Sequence, residues 1–286
     1  MERIRVEEEV RSLVVIITIF VLFLSFLLPW GGTFGCCPLF FFKNVYISGM
    51  EQRPRLKGNR LAAFENITKD ENRVLVIGDL HEPFCLDGYL NFCKKTYAKY
   101  NCNKVVLIGD IIDNHYSSYH ETFSDGMGGK AELDLAIKRV GKWYKAFPNA
   151  DVTLGNHDRI IIRKAQTSNI PSRWIKEFSE VLETPKWNFV TEVYFDDVRY
   201  IHGDKSGNAR TAAKRDMVST VSGHFHTQMY VEWFFGKFAA LFAMQVGCGI
   251  DSKSYAMGYM QGGKKEAIGV GIVIGGHTAF NVKMDL

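Results

Sequence analysis

From Arg73 to the C-terminus, short apolar runs alternate with longer amphipathic stretches. We predict β-strands at eight of these runs: Val74–Ile77, Lys104–Ile108, Asp151–Leu154, Thr191–Phe195, Arg199–Ile201, Met217–Ser222, Ala239–Val246 and Ile268–Ile274. Helices are predicted over Asp87–Tyr100, with Asp87 as the N-cap, and over Lys130–Phe147. Strands that alternate with helices are typical of an α/β domain, which we place at residues 73–286.

The longer predicted helix carries an apolar stripe. Its members recur at helical spacing: Leu133, Ile137, Val140, Tyr144 and Phe147. We therefore expect this helix to pack its stripe against the sheet of the α/β domain.

The first 72 residues differ from the rest in composition. Residues 13–28 read LVVIITIFVLFLSFLL, and with Pro29 and Trp30 they reach the lower length limit of a membrane-spanning helix, about 17 residues. We predict a polar tail over residues 1–12, a transmembrane helix over residues 13–30 that anchors the protein in a membrane, and a linker over residues 31–72. The alternatives are a cleaved signal peptide and a mis-started leader on a cytoplasmic protein. Basic residues flank both sides, which leaves the orientation open.

The overall composition excludes few classes of function. The chain has 286 residues and a formal net charge of +4, which is too weak by itself to indicate a nucleic-acid partner. Its six cysteines follow neither the CxxC spacing of a zinc site nor the pattern of a small disulfide-stapled domain. We predict that most of them are buried thiols in a reducing compartment.

Five polar motifs follow directly after predicted strands. They are Gly78–His81 (GDLH), Gly109–His115 (GDIIDNH), Gly155–Asp158 (GNHD), His202 and Gly223–His226 (GHFH). Each motif alone is typical of a turn, a cap or ordinary packing. All five together predict a site, because ligands of α/β domains bind beyond the carboxyl ends of the strands.

In the first motif, Gly78 is expected to let the chain turn without a side chain in the way. Asp79 and His81 are expected to point to the same side, because alternate residues of an extended chain share a face. The strand would then present a carboxylate and an imidazole together at its end.

Carboxylate and imidazole groups dominate the motifs, which favours Mn²⁺, iron or Zn²⁺, with Mg²⁺ as an alternative, over Ca²⁺. No cysteine stands among them, so a closed structural zinc site is not indicated. One carboxylate between two cations can bridge them, and two ions about 3.5–4 Å apart can clamp the attacking and leaving oxygens of a phosphoryl transfer. The motifs therefore predict two divalent metal ions.

The order DxH, GDxxD, GNHD, His and GHxH resembles the signature of the calcineurin-like metallophosphoesterase family. The likeness runs over residues 73–226, and a weaker one links the chain to stand-alone phosphoesterases of phage genomes. The resemblance implies the α/β fold of the family, a four-layer α-β-β-α sandwich of two mixed sheets flanked by helices. In this chain the N-terminal hydrophobic helix would precede it.

The resemblance also implies roles for the polar residues of the motifs. Seven would be metal ligands: Asp79, His81 and His226 for the first ion, Asn156, His202 and His224 for the second, and Asp110 for both. His157 would be the general acid that protonates the leaving alkoxide, oriented by Asp113 or Asp158. The implied reaction is hydrolysis of a phosphomonoester or phosphodiester by in-line attack of a hydroxide that bridges the two metals.

One departure from the family pattern concerns phosphate binding. GDxxD is often followed there by Arg-Gly, an arginine suited to hold phosphate, whereas Asn114 and His115 follow it here. We expect His115, Arg159 or Arg210 to take that role. Two glycine-rich stretches, residues 124–130 and 247–265, are either a loop over the metals and a rim of the pocket or plain turns.

Two other functions fit the same residues less well. A nuclease would need a basic groove or a platform of stacking aromatic rings, and Lys and Arg are spread along the chain. A non-catalytic, membrane-tethered scaffold would be indicated by a lost ligand, and every ligand position is filled. The expected partners are a phosphate-ester substrate and, through residues 13–30, a membrane. The sequence indicates neither a nucleic-acid partner nor an oligomeric state.

Overall fold

The computed structural model describes residues 71–119, 121–237, 239–256 and 264–286. One sheet in these ranges has six strands: β1 (Arg73–Ile77), β2 (Lys104–Leu107), β3 (Asp151–Thr153), β4 (Asn188–Val190), β10 (Gly269–Ile274) and β11 (Thr278–Lys283). Their spatial order is β11-β10-β1-β2-β3-β4. β1 to β4 are parallel, whereas β10 is antiparallel to both of its neighbours.

The second sheet has five strands: β5 (Glu192–Phe195), β6 (Val198–Ile201), β7 (Ser219–Ser222), β8 (Met229–Phe235) and β9 (Ala240–Val246). Their order is β5-β6-β7-β9-β8, with β6, β7 and β9 parallel to one another. The start predicted for the strand over Thr191–Phe195 is wrong, since Thr191 separates β4 of one sheet from β5 of the other. β7 begins two residues later than predicted, because Met217 ends the preceding helix in a left-handed conformation with φ 53°.

Five α-helices lie in the described ranges: α1 (Tyr89–Lys99), α2 (Gly129–Ala146), α3 (Ile160–Thr167), α4 (Phe178–Val181) and α5 (Ala209–Asp216). Short 3₁₀ turns cover His115–Ser117 and Ser172–Trp174. The prediction that Asp87 caps α1 is wrong. The N-cap is Gly88, whose backbone is left-handed with φ 90°, and no side chain caps this end. The exposed Asp87 carboxylate lies 3.4 Å from the Arg139 guanidinium instead.

Three apolar clusters join the helices and sheets. Helices α1 and α2 pack on one face of the six-stranded sheet, where Val140 belongs to the same cluster as Leu75. Successive residues of a strand point to opposite faces, so the next residue, Val76, packs against the five-stranded sheet. On the far side of that second sheet, Ala213 of α5 packs with Ala243. The described residues thus form two mixed sheets flanked by helices, as the family resemblance implies.

The apolar stripe predicted for α2 packs on the sheet at four of its five positions. Val140 and the C-cap Phe147 are buried in the core, and Ile137 and Tyr144 are partly buried against it, whereas Leu133 lies outside this cluster. The helix also buries Glu132, Ala136 and Trp143. The Trp143 Nε1 donates to the buried Glu82 carboxylate at 2.9 Å, so this buried acid has a hydrogen-bond partner on α2.

The predicted polar tail, transmembrane helix and linker lie outside the described residues, apart from Glu71 and Asn72 at the end of the linker. Among the helices that the structure describes, none is both long and apolar enough to cross a membrane. The anchor over residues 13–30 therefore stays a prediction.

Candidate metal centre

Strands of both sheets deliver the polar motifs to one place. β1, β2 and β3 of the first sheet, and β6 and β7 of the second, each end one to three residues before the first polar residue of a predicted motif. Parallel strands present their carboxyl ends at one edge of a sheet. Because the two sheets pack face to face, the motifs of both sheets meet at adjoining edges.

The predicted side chains form three groups, within each of which the ligand atoms lie within 4.8 Å of one another. The groups are Asp79, His81, Asp110 and His226; Asp110, His202 and His224; and His81, Asp113 and His157. The first two correspond to the ligand sets that the family resemblance implies for the two ions, apart from the amide ligand Asn156. Asp110 belongs to both of these groups.

The Asp110 carboxylate faces side chains from three other loops. Its Oδ2 atom is 3.2 Å from His202 Nε2 and 3.6 Å from His81 Nε2. His202 Nε2 is in turn 2.9 Å from Asn156 Oδ1, so the predicted amide ligand lies beside the second group. The structure therefore brings all seven predicted ligands to one centre.

Three buried atoms of the first group have no hydrogen-bond partner among the described residues: Asp79 Oδ1, His81 Nε2 and His226 Nε2. The last is within ion-pair distance of Asp79 Oδ2, at 2.9 Å, but not aligned for a hydrogen bond. A buried polar atom without a partner costs about 1–3 kcal/mol. Imidazole nitrogens and carboxylate oxygens that face one another suit a divalent transition metal, so the residues present fit the predicted ions.

Two of the candidate ligand imidazoles are oriented through their other ring nitrogen. His81 Nδ1 lies 2.6 Å from Asp113 Oδ1, and His202 Nδ1 donates to the backbone carbonyl of Ile108 at 2.9 Å. A carbonyl or an ionised carboxylate can only accept, so Nδ1 carries the proton in the neutral ring. Nε2 of each ring then lacks a proton in the neutral ring and faces the centre, where it could bind a cation. Sequence reasoning missed the Ile108 carbonyl, because a backbone atom leaves no signal in the residue type.

Asp110 and His202 form a buried ion pair. Burial alone would raise the pKa of the Asp110 carboxyl, but the imidazoles of His202, His157 and His81 outweigh it and hold that pKa well below its ordinary value. Burial would lower the pKa of His202, but the Asp110 and Asp79 carboxylates outweigh it and raise that pKa to about 10. Without a bound cation, His202 therefore carries a proton at neutral pH.

Metal binding is expected to release this proton. At about pH 7 the imidazole of His202, with its pKa raised to about 10, is protonated, and Nε2 can bind a cation only after the proton leaves. The affinity for Mn²⁺ should therefore rise as the pH rises toward that pKa. Calorimetric titration of metal-free protein in buffers of different ionisation enthalpy counts the protons released. An affinity that falls with rising pH, or binding without proton release, would contradict the shift.

The His157 ring is held by Asp113. Its Nδ1 donates to the Asp113 backbone carbonyl at 2.7 Å, and the Asp113 carboxylate lies 3.5 Å from the same nitrogen. The His157 amide donates to Asp110 Oδ1 at 2.8 Å. Burial would lower the pKa of His157, but the Asp110 and Asp113 charges outweigh it and the pKa is raised above its ordinary value. Nε2 is left as the ring atom that can transfer a proton.

Asp158, the alternative residue predicted to orient His157, directs its carboxylate to backbone amides instead of the His157 ring. Its carboxylate accepts the backbone amides of Ile111 and Gly155, each at 2.9 Å, and that of Ile112 at 3.3 Å. Burial and the nearby Asp110 charge raise its pKa to about 6. Asp158 thus joins the loop after β2 to the loop after β3, and the contact with the His157 ring comes from Asp113.

The first motif reaches the centre differently from the sequence expectation. A Cβ on Gly78 would lie 2.2 Å from the Gly247 carbonyl oxygen, so glycine is required there by a close approach of backbone rather than by a turn. His81 has a left-handed backbone, with φ 51°. Asp79 and His81 therefore do not share a face of an extended strand. The left-handed bend at His81 places its Nε2 3.6 Å from the Asp110 carboxylate, in the same group as Asp79.

Replacing Gly155 by alanine is expected to disrupt the centre. The added Cβ would lie 2.0 Å from Asp110 Oδ1 and 2.4 Å from the Asp110 amide nitrogen, so the carboxylate must move. We expect the affinity for Mn²⁺ to fall about 10–100-fold, the loss typical of changes next to metal ligands. Gly141→Ala in α2 is the matched control, since a Cβ there meets nothing within 4 Å. Equal affinities of the two variants would mean that Asp110 is not a ligand.

The three residues expected to hold phosphate have different surroundings. The His115 ring is buried and accepts a backbone amide at 3.0 Å, so it is part of the packing. Arg210 is exposed on α5 and forms an ion pair at the surface. Arg159 borders the centre, where its Nε donates to the Gly155 carbonyl at 3.0 Å and its guanidinium pairs with Asp204. Of the three, Arg159 is placed best to reach a phosphate.

Comparison with known proteins identifies a family. A family model described as calcineurin-like phosphoesterase matches residues 72–280. No curated protein matches the chain. Among solved structures, vacuolar protein sorting 29 from Cryptosporidium parvum matches with 13% identity and a TM-score of 0.38, covering 76% of this chain and 99% of its own. The phosphoesterase YfcE from E. coli matches with 13% identity and a TM-score of 0.36, covering 70% and 87%. The nuclease MPE from Pseudomonas putida matches with 11% identity and a TM-score of 0.36, covering 73% of this chain and 86% of its own.

Proposed function

Because the chain belongs to the calcineurin-like phosphoesterase family, we propose that it is a dinuclear metal-dependent enzyme that hydrolyses phosphomonoesters or phosphodiesters. The proposed metal ligands are Asp79, His81, Asp110, Asn156, His202, His224 and His226. His157 is proposed as the general acid and Asp113 as the residue that orients it.

The position of Asp110 is the observation that carries the proposal. Its carboxylate belongs to two donor groups at once. A single ion would need one such group, whereas a pair of ions needs two groups that share a ligand. The buried atoms without partners in the first group add support, since a cation would satisfy them.

Two divalent cations bound there would supply positive charge against the phosphate oxygens and lower the pKa of bound water toward neutrality. Residues of the chain hold the proton that is transferred to the leaving oxygen. The Asp113 carbonyl keeps His157 Nδ1 as a donor, which leaves Nε2 to carry the transferable proton. The Asp110 and Asp113 charges raise the pKa of His157 above its ordinary value, which favours the protonated ring. Its transfer to the leaving oxygen neutralises the charge that develops as the P–O bond breaks.

A substrate panel tests the proposal. Metal-free protein is supplied with Mn²⁺, Mg²⁺ or Zn²⁺ and assayed on p-nitrophenyl phosphate, a monoester, and on bis(p-nitrophenyl) phosphate, a diester. We expect metal-dependent release of nitrophenolate from at least one of them, and the ratio of the two rates assigns the ester class. Failure of both substrates with every metal would contradict the proposed function.

We further propose that residues 13–30 anchor this enzyme in a membrane, with residues 1–12 as a polar tail and residues 31–72 as a linker to the catalytic domain. The uncharged run of residues 13–28 supports the anchor. Cell fractionation of the full-length chain and of a variant without residues 1–30 tests it. Recovery of the full-length chain in the soluble fraction would contradict the anchor.

A further inference from the structure

A cleft beside the proposed second metal site carries a surplus of positive charge. Its lining includes Arg159, Arg163 and Lys205, together with Asp204 and Gln166, and its volume is about 510 Å³. We call it the cation cleft. Three cationic side chains there face one carboxylate.

The cation cleft adjoins the metal centre through two loops. Arg159 directly follows the GNHD motif that supplies Asn156, and its Nε donates to a backbone carbonyl of that motif at 3.0 Å. Asp204 and Lys205 follow His202 by two and three residues. A group bound in the cleft would therefore lie next to an ester phosphate at the centre.

The charge of the cleft is not neutralised within the part of the chain that the structure describes. Arg159 pairs with Asp204, whereas no carboxylate there lies within ion-pair distance of Arg163 or Lys205. The Arg163 guanidinium lies 4.7 Å from the centre of the Tyr119 ring, which holds it in place and leaves its charge available. Cations that line a cleft in this way concentrate anions.

We propose that the cation cleft is a subsite for a second phosphate group of the substrate. The inference rests on the proposed function, which places the first phosphate at the metal centre. There the ions would neutralise the ester phosphate, so the cleft remains free for another anion. Arginine offers paired N–H donors that match phosphate oxygens, and lysine adds a point charge. The substrate class is then a phosphate ester that bears another phosphate nearby, as in a nucleoside bisphosphate.

Two esters that differ by one phosphate test the subsite. They are the p-nitrophenyl ester of thymidine 5′-phosphate and the same ester with an added 3′-phosphate, assayed with the metal-loaded full-length enzyme. We expect the 3′-phosphate to raise kcat/KM, mainly through a lower KM. In the double variant Arg163→Gln/Lys205→Gln this advantage should fall about tenfold, the loss expected for contacts between partly exposed charged groups. Turnover of the ester without the 3′-phosphate should stay unchanged.

The control is Lys145→Gln, an exposed position at the end of α2 that should retain the full advantage. The subsite is overturned if the wild-type enzyme treats the two esters alike, or if the double variant loses both activities equally. Bis(p-nitrophenyl) phosphate and p-nitrophenyl phosphate serve as substrates without a second phosphate. If neither is hydrolysed with any metal, the proposed function itself fails. Loss of the preference for the ester with the 3′-phosphate, with hydrolysis retained, would overturn only the subsite.

Discussion

Asp110→Asn is expected to lower kcat/KM at least about 10³-fold on the ester that the panel identifies. Asparagine keeps an oxygen that can accept the His157 amide, which Asp110 holds at 2.8 Å. It lacks the negative charge that faces His202 and His81. If Asp110 is the shared ligand that we propose, its loss would remove several kcal/mol of charge stabilisation in the transition state, and each 1.4 kcal/mol, roughly, is a factor of ten in rate.

Metal content distinguishes this loss from a loss of fold. After equilibration with Mn²⁺ and removal of free metal, the variant should hold fewer ions per chain than the parent. Its circular dichroism should be unchanged, because the hydrogen bond to the His157 amide can be kept. Asp134→Asn is the matched control, since that carboxylate is exposed on α2 and pairs with Lys130. Undiminished turnover in Asp110→Asn would exclude the bridging role.

Apolar runs predicted the strands that position the site, because those strands are buried. β1 and β2 lie inside the first sheet, and their residues Val74–Ile77 and Val105–Leu107 are buried on both faces. β8 was missed although its sequence, MYVEWFF, is an apolar run interrupted only by Glu232. Like β4 and β11, which were also missed, it lies at the edge of a sheet, and its residues Met229–Phe234 are only partly buried. Periodicity therefore predicts the centre of each sheet better than its edges.

The candidate ligands could be predicted because each stands in a motif directly after a strand. The backbone atoms that orient the candidate ligands and His157 could not be predicted from the sequence. His202 is held by the carbonyl of Ile108, and His157 by the carbonyl of Asp113. Every residue except proline has the same carbonyl and amide, so these contacts depend on where the chain bends. The left-handed bend at His81, with φ 51°, is such a case, since it places Nδ1 2.6 Å from Asp113.

Replacing His157 by asparagine is expected to slow the hydrolysis of esters with basic leaving groups by about 10²–10⁴-fold, the usual contribution of a general acid. The asparagine amide can place a donor near the position from which His157 Nδ1 donates to the Asp113 carbonyl, so the loop should keep its conformation. The amide N–H is too weakly acidic to protonate the leaving oxygen. Nitrophenolate leaves with little help from an acid, so nitrophenyl esters should be affected much less.

A series of aryl esters with leaving groups of increasing basicity measures the effect. In the wild type, kcat/KM should depend weakly on that basicity, and in His157→Asn it should depend on it steeply. His277→Asn is the matched control, because that ring is exposed and contacts Glu71 far along the chain. The metal content of His157→Asn should equal that of the parent, since His157 is not among the proposed ligands. An equal loss across the series would assign His157 to phosphate binding instead, because leaving-group basicity matters at the step in which the leaving oxygen takes up a proton.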